Sequence, residues 1–577
     1  TPLNDFPILE LREEGQEIQL ANFRVGDTLV LYPKPNPLKE QIFKGTLIEL
    51  KDGAYLIRMR NRQFPRNLID LDLKWNLEHD YLDRSFSYQF QSLMEWASAP
   101  EPLRKLLLGR VRPEIGSKST GEFHPEIPNR MIPVLQKIRA AKNYFLLWGP
   151  PGAGKTSMVI RFLTEALVVR DHEQIMLLAY TNRAVDEICE MLDWVEETTG
   201  LEYLRIGSRY GVHEKFKSRL LDEKARLVKD RNEMNQLLNR TRIFTGTIAS
   251  ILGKKELFSL KTFDTLIVDE ASQILEPQLI GLLTRFKRFI LIGDHMQLPA
   301  VTAQTDEESR IESHGLKQYG FNKLSTSFFE RIFRQCQDNA WENSFEMLEF
   351  QGRMHYEIMQ YPSWSFYHGR LEILPESTNP MQTAKLSDRF PKLEGTLWPG
   401  LATHRTIFLS CIPTLSKVSL KTNPIEAQSI CKLVESLIKL HQLNQVEWNE
   451  NRLGIICPFR AQIALIKQYM NKIPWIKSFP ITVDTAERYQ GGSRDIIILS
   501  TVISDPKQLA QISSVNDQGA DRKLNVAITR AKEQIIVIGN PLALSASTLY
   551  QQLMEQYTCM EIKDLQPIEG MIVNQQT

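Results

Sequence analysis

The spacing of apolar and polar residues changes along this chain, and the changes divide it. Between Phe23 and Gln63 the chain reads as short strands, Asp27 to Tyr32, Phe43 to Leu50 and Ala54 to Arg60. In the last of these Tyr55, Ile57 and Met59 share one face and Leu56, Arg58 and Arg60 the other, and Asp52-Gly53 ahead of it is a two-residue hairpin signal. Strands this few and short predict a small β-barrel. Phe86, Phe90, Leu93 and Ala97 then recur at helical spacing, which predicts a helical stalk. From Asn143 onward buried apolar strands alternate with helices, the pattern of parallel α/β sheets. One series of expected strands is 144–148, 175–179, 265–268 and 289–292, and a second is 406–409, 453–457, 496–501 and 535–538. The expected layout is a barrel over 1–80, a stalk and linker over 81–120, α/β domains over 121–335 and 336–547 with a helical insertion near 209–242, and a tail over 548–577.

Composition narrows the class. The 577 residues carry 70 Lys and Arg against 69 Asp and Glu, so a net charge of +1 recruits no polyanion globally and any nucleic-acid surface has to be local. Cys189, Cys336, Cys411, Cys431, Cys457 and Cys559 are scattered without a CxxC pair, which argues against a zinc ribbon or disulfide framework and for a reducing compartment. No apolar run approaches the roughly 18 residues of a membrane helix. We therefore expect no membrane contact and an intracellular, cytoplasmic protein, nuclear in a eukaryote. A chain opening on Thr1 is expected to be a piece of a longer one.

Chemistry enters at Gly149-Pro-Pro-Gly152-Ala153-Gly154-Lys155-Thr156, a G-x-x-x-x-G-K-T run after an expected strand and before a helical segment beginning at Ser157. Its backbone N–H groups can converge on phosphates, Lys155 can reach the β and γ phosphates, and the Thr156 hydroxyl can ligate Mg²⁺. Such a site needs an acidic pair at a neighbouring strand end, and Thr265-Leu-Ile-Val-Asp269-Glu270 supplies it. Asp269 would hold Mg²⁺, and Glu270 would orient and deprotonate the attacking water. ATP and Mg²⁺ are the expected cofactors.

With these residues in hand the chain resembles a superfamily 1 helicase of the branch containing the nonsense-mediated-decay RNA helicase and the replication helicase-nuclease. Roughly 110–545 carries the motifs in order. Ala179-Tyr-Thr181-Asn182-Arg-Ala-Val-Asp186 and Thr245-Gly-Thr247 resemble the first nucleic-acid motifs, and Gly293-Asp294-His-Met-Gln297-Leu-Pro299 the coupling motif, whose Gln senses the γ-phosphate. Gln351-Gly-Arg353-Met-His355 and Leu524-Asn525-Val-Ala-Ile-Thr529-Arg530-Ala531 resemble the two arginine-finger motifs. Cys457-Pro458-Phe-Arg460-Ala-Gln462 and Val483-Asp-Thr485-Ala-Glu-Arg-Tyr-Gln490-Gly491 are similar to later motifs that touch nucleic acid and nucleotide.

The resemblance implies two tandem RecA-like domains, with Lys155, Asp269, Glu270, Gln297, Arg353 and Arg530 catalytic. Gly149, Gly152, Ala153, Gly154, Ser157 and Gly491 would hold the nucleotide. Thr181, Asn182, Thr247, Pro458, Arg460 and Thr485 would line a single-strand track. It implies an ATP-dependent 5′-to-3′ helicase on single-stranded DNA. An RNA helicase of the same branch is the alternative, and an ATP-gated clamp that recruits partners is a second. No nuclease constellation is visible, so a nuclease is expected on a missing segment or a partner chain.

Three positions depart from the pattern, and all fall on the adenosine side. Met131 stands where a glutamine box is expected, Gly352 where an aromatic would stack on the base, and Ser493 where an acid would reach the ribose. Relaxed base selectivity or weak nucleotide affinity is the expected consequence. The basic run from Lys215 to Arg242, set against Asp222, Glu223, Asp230 and Glu233, reads equally as a solvated helix face or as an extension of the nucleic-acid channel. The basic residues Lys44, Arg58, Arg60 and Arg62 of the barrel are a weaker case for nucleic acid, since basic side chains on edge strands also prevent aggregation.

Overall fold

The computed structural model describes residues 6–12, 23, 26–34, 42–51, 54–60, 74–80, 85–116, 124–302, 304–393, 398–412, 421–489 and 491–561. The expected positions Asp52-Gly53, Arg62, Gln490 and the last part of the tail lie outside them. Strands β1 (Ile8–Arg12), β2 (Thr28–Pro33), β3 (Phe43–Lys51), β4 (Ala54–Met59) and β5 (Trp75–His79) make one antiparallel sheet in the order β1-β4-β3-β2-β5. Alternation decides its inner face. Leu29, Leu31, Phe43, Leu47, Tyr55, Ile57 and Met59 form its core, while Leu56 and Arg58 are half-buried.

The parallel strands follow: β6 (Tyr144–Trp148), β7 (Ile175–Ala179), β8 (Tyr203–Ile206), β9 (Ile243–Thr247), β10 (Thr265–Val268), β11 (Arg288–Gly293) and β12 (Phe345–Met347). The short pair β13 (Phe350–Gln351) and β14 (Glu372–Ile373) precedes β15 (Thr406–Ser410), β16 (Leu453–Ile456), β17 (Thr482–Asp484), β18 (Arg494–Ser500), β19 (Ala531–Gly539) and β20 (Thr558–Glu561). All eight expected strands of the two series are present. The fold class is α/β with parallel RecA-like sheets and a small antiparallel sheet ahead of them.

The chain divides into two compact units. One comprises Thr1–Lys105, His172–Leu266 and Glu276–Lys287, and the other Leu106–Asp171, Ile267–Leu275 and Arg288–Thr577. The first holds the antiparallel sheet and the parallel ladder β7-β9-β8, in which Ile175 pairs Ile243 and Tyr203 pairs Ile243. Helix Ser85–Ala97 is present as predicted, but its expected stripe is not packed: Phe86 is 50%, Phe90 71% and Leu93 39% exposed. The helix instead buries Ser92, whose Oγ accepts from Gly281 N at 2.8 Å. The backbones approach so closely that a Cβ on Gly281 would lie 2.4 Å from Ser92 O. A small residue therefore faces the neighbouring helix Glu276–Leu283, and the bulky ones turn outward.

The second unit holds β12-β6-β11, with Leu146 pairing Phe345 and Leu291. It also holds a six-stranded parallel sheet ordered β17-β16-β18-β19-β15-β20. Helix Pro424–Leu443 covers this sheet with Ile430, Leu433, Val434, Leu437 and Ile438, all fully buried. Part of the expected tail is structured: helix Thr548–Gln556 leads into β20, which pairs in parallel with β15 from Ile407↔Thr558 to Ser410↔Glu561.

Candidate nucleotide and nucleic-acid sites

The phosphate loop lies in the second unit between β6, buried at every position, and a helix running from Lys155 to Arg170. Gly152 (φ +75°) and Gly154 (φ +77°) take left-handed backbone, which glycine adopts without penalty. A Cβ on Gly152 would also lie 2.5 Å from Arg353 Cβ, so the loop and Arg353 are in close contact. Lys155 Nζ donates to Gly149 O at 2.8 Å and lies 3.7 Å from Glu270 Oε1.

β10 delivers the acidic pair beside this loop. Thr156 Oγ1 donates to Asp269 Oδ2 at 3.0 Å, and Asp269 Oδ1 accepts from Glu270 N at 2.9 Å. Burial, and then the charge of Glu270, pushes the Asp269 carboxyl up. Glu270 takes left-handed backbone (φ 53°), and its Oε2 accepts from Gln273 Nε2 at 2.9 Å. Strain of this kind at a non-glycine residue costs on the order of 1 kcal/mol or more and needs surrounding contacts to hold it.

After β11 comes a buried carboxylate. Asp294 Oδ1 accepts from Trp148 Nε1 (2.9 Å) and Met296 N (3.1 Å), while Oδ2 accepts from Gln297 Nε2 (2.6 Å) and Tyr367 OH (2.8 Å). Gln297 Oε1 then accepts from Arg530 Nη2 at 2.7 Å. Burial, and next the neighbouring Arg353 charge, lowers the Arg530 pKa to about 9. Arg353 Nη1 donates to Thr529 O at 3.3 Å. All six expected catalytic residues thus belong to one unit, in two connected groups: Lys155, Thr156, Asp269 and Glu270, and Asp294, Gln297 and Arg530, with Arg353 against Gly152.

Tyr367 and Asn525 received no role from the sequence reading. Asn525 Nδ2 donates to Tyr367 OH at 2.9 Å and to Met296 O at 2.7 Å, which extends the Asp294 network. The only signal for them was indirect: an Asp in an apolar strand-end context needs buried donors.

A cavity of about 730 Å³ opens beside the loop, within the range of ligand pockets. Gly152, Ala153, Gly154, Ser157 and Arg353 line one part of it. Arg130, Met131, Phe350, Gly352, Ser493 and Lys532 line it as well, so the three departures share one cavity. Gly352 brings no ring, yet Phe350 two positions earlier does. Gly491 is exposed at φ +80° and does not line this cavity.

The expected track residues are placed as follows. In the first unit Thr181 is exposed and caps helix Asn182–Thr199 through Ala184 N (3.2 Å), and Asn182 is exposed beside it. Thr247 is buried, and its hydroxyl caps helix Ile248–Leu252. In the second unit Pro458 and Arg460 are half-buried at the start of helix Arg460–Asn471, and Thr485 is buried after β17. Part of the Lys215–Arg242 run is paired within the first unit: Lys215 with Asp193 (3.2 Å), Arg226 with Glu223 (2.9 Å) and Arg219 with Glu196. Lys44 pairs with Asp80 (2.8 Å), and Arg58 lies 4.6 Å from the ring centres of both Phe6 and Tyr210.

Among the described residues no group of three or more His, Cys, Asp or Glu could hold a metal alone. Thr156 and Asp269 offer the hard oxygens that Mg²⁺ takes together with phosphate oxygens and water, so they fit it.

A family profile described as an AAA domain matches residues 324–542, and another of the same description matches 130–229 and 215–305. The DNA replication ATP-dependent helicase/nuclease JHS1 of Arabidopsis thaliana is 28% identical over 498 residues, covering 84% of this chain and 34% of that protein. DNA2 of Xenopus laevis, a protein of the same description, is 27% identical over 522 residues, covering 85% and 46%. The DNA polymerase alpha-associated DNA helicase A of Saccharomyces cerevisiae is 27% identical over 462 residues, covering 68% and 62%. The chain spans less than half the length of the two helicase/nucleases. An arterivirus nonstructural protein 10 (helicase) overlaps 96% of the chain at a TM-score of 0.38 and 11% identity. With both sets of motor motifs matched in order along most of its length, the chain belongs to the superfamily 1B helicases.

Proposed function

We propose that the chain is the motor part of an ATP-dependent DNA helicase, hydrolysing nucleotide to move 5′ to 3′ along single-stranded DNA. The observation that carries the reading is the gathering, in one unit, of Lys155, Thr156, Asp269 and Glu270 with Gln297, Arg353 and Arg530. Phosphoryl transfer spreads negative charge over the γ-oxygens, and catalysis consists mainly of positioning and charge stabilisation. Lys155 and the loop amides hold the β and γ phosphates. Glu270, oriented by Gln273, takes the proton of the attacking water. Gln297 is fixed at one end by Asp294 and at the other by Arg530, so any shift of Arg530 toward the γ-phosphate is felt at β11.

Thr156 and Asp269 would hold Mg²⁺, which would supply neutralisation of the phosphate charge. Five of these groups come from the expected first domain (121–335) and precede Arg353 and Arg530 of the second (336–547), so hydrolysis would alter the contact between the two. Thr181, Asn182, Thr247, Pro458, Arg460 and Thr485 belong to the track in this reading. A nuclease on another segment or chain belongs to the same proposal, because the helicase/nucleases it resembles are much longer. Strand displacement on tailed duplexes tests it. The expected result is unwinding of 5′-tailed DNA in preference to 3′-tailed DNA and to RNA; RNA-selective unwinding, or none with nucleotide turnover intact, would overturn the DNA motor.

A further inference from the structure

The cavity that holds Met131, Gly352 and Ser493 is also lined by Arg130. Arg130 precedes Met131 in the turn Asn129–Met131, is half-buried, and its guanidinium sits 5.5 Å from the centre of the Phe350 ring. Other charged groups lining the cavity have partners of opposite charge: Glu346 pairs with Lys137 (2.5 Å), Glu349 with Arg370 (2.7 Å), and Lys532 (3.5 Å) shares Asp495 with Arg452 (2.6 Å). Arg130 has no carboxylate partner among the described residues, and burial alone lowers its pKa. A partly desolvated cation resting on an aromatic face without a counterion is costly unless something else accepts its hydrogen bonds.

Chemistry narrows what that acceptor is. A glutamine both donates and accepts, which matches N7 and the N6 amine of adenine; arginine only donates, which matches N7 and O6 of guanine. Met131 offers neither function, so adenine loses its usual reader while a 6-oxopurine gains one. We propose that Arg130, supported by Phe350, reads the base, and that this site favours 6-oxopurine triphosphates (guanosine and inosine) over ATP. This rests on reading the cavity as the nucleotide site and replaces general laxity with a direction.

The test is competition by GTP, ITP, ATP and CTP against a ribose-labelled fluorescent nucleotide on the whole chain, unmutated and as Arg130→Gln, Arg130→Ala and Lys155→Ala. The expected result is GTP and ITP binding about fivefold or more tighter than ATP, the lower end for one bidentate purine contact. Arg130→Gln should reverse the order toward ATP, and Arg130→Ala should level it. ATP outcompeting GTP and ITP on the unmutated chain overturns the proposal, as does an unchanged ranking in Arg130→Ala. Loss of all four nucleotides in Lys155→Ala keeps the nucleotide-site reading intact whichever way the ranking falls; no labelled nucleotide bound at all sinks both.

Discussion

Tyr367→Phe is the sharpest perturbation of the Asp294 network. Tyr367 is fully buried, donates to Asp294 at 2.8 Å and accepts from Asn525 at 2.9 Å. The change removes one oxygen and leaves the ring packed 5.8 Å from Trp148, so lost packing is small. A hydrogen bond to a charged group is worth about 1.5–3 kcal/mol and a neutral one about 0.5–1.5 kcal/mol. Asp294 keeps three donors and Asn525 keeps Met296 O, so the expected loss is about 2–4.5 kcal/mol of stability, the range of those two terms. Asp294 Oδ2 also holds Gln297, so a looser carboxylate should lower kcat about tenfold, equivalent to about 1.4 kcal/mol. KM should stay within about twofold, because Tyr367 does not line the cavity beside the Gly149–Thr156 loop. Urea unfolding and steady-state hydrolysis read the two effects. Unchanged stability together with unchanged kcat would refute the network's role. If Asp294→Asn and Tyr367→Phe add independently, the two do not act as a unit.

Other outcomes follow from the same geometry. Gly152→Ala sets a Cβ against Arg353 on left-handed backbone, so hydrolysis should fall by about a hundredfold or more, as for misplaced catalytic groups, with overall unfolding little changed. Glu426, fully buried and hydrogen-bonded to Ser500 Oγ and Val502 N, has its carboxyl pushed by burial to about 8 from 4.5. The folded state therefore keeps a proton that the unfolded chain has lost. The contribution is complete below the unfolded value and falls away as pH rises through the folded one, by up to about 1.4 kcal/mol per pH unit in between. Glu426→Gln should flatten unfolding midpoints across that window; an equally steep variant would contradict the assignment. With Lys215, Arg219 and Arg226 paired internally, single-strand affinity should lose less than about a thousandfold between 50 and 200 mM salt, below proteins with six to ten phosphate contacts.

Much of the motor was legible because its signals are local. The phosphate loop lies within eight residues, and Asp269-Glu270 follows an unbroken apolar strand that could be little else. The long-range partners were not legible. Nothing near Tyr367 or Asn525 in the chain points to Asp294, since each contact spans 73 or more residues. Helical spacing found helix Ser85–Ala97 but could not show which face packs, because that is decided by the close approach of Ser92 to Gly281. The missing aromatic at Gly352 looked like a loss until Phe350 was found lining the same cavity. Charge counting within the basic run could weigh Glu223 but not Asp193 and Glu196, which pair with Lys215 and Arg219 from the preceding helix.

The central claim is that Arg530 completes a hydrolytic centre whose other half is the Lys155 loop and Glu270. Nucleotide hydrolysis by the unmutated chain and by Arg530→Ala, each with and without single-stranded DNA, tests it most directly. The account predicts DNA-stimulated turnover in the first and a loss of about 10³-fold or more in the second, the range for an arginine finger, with nucleotide still bound. Turnover in Arg530→Ala within about twofold of the unmutated chain would contradict it.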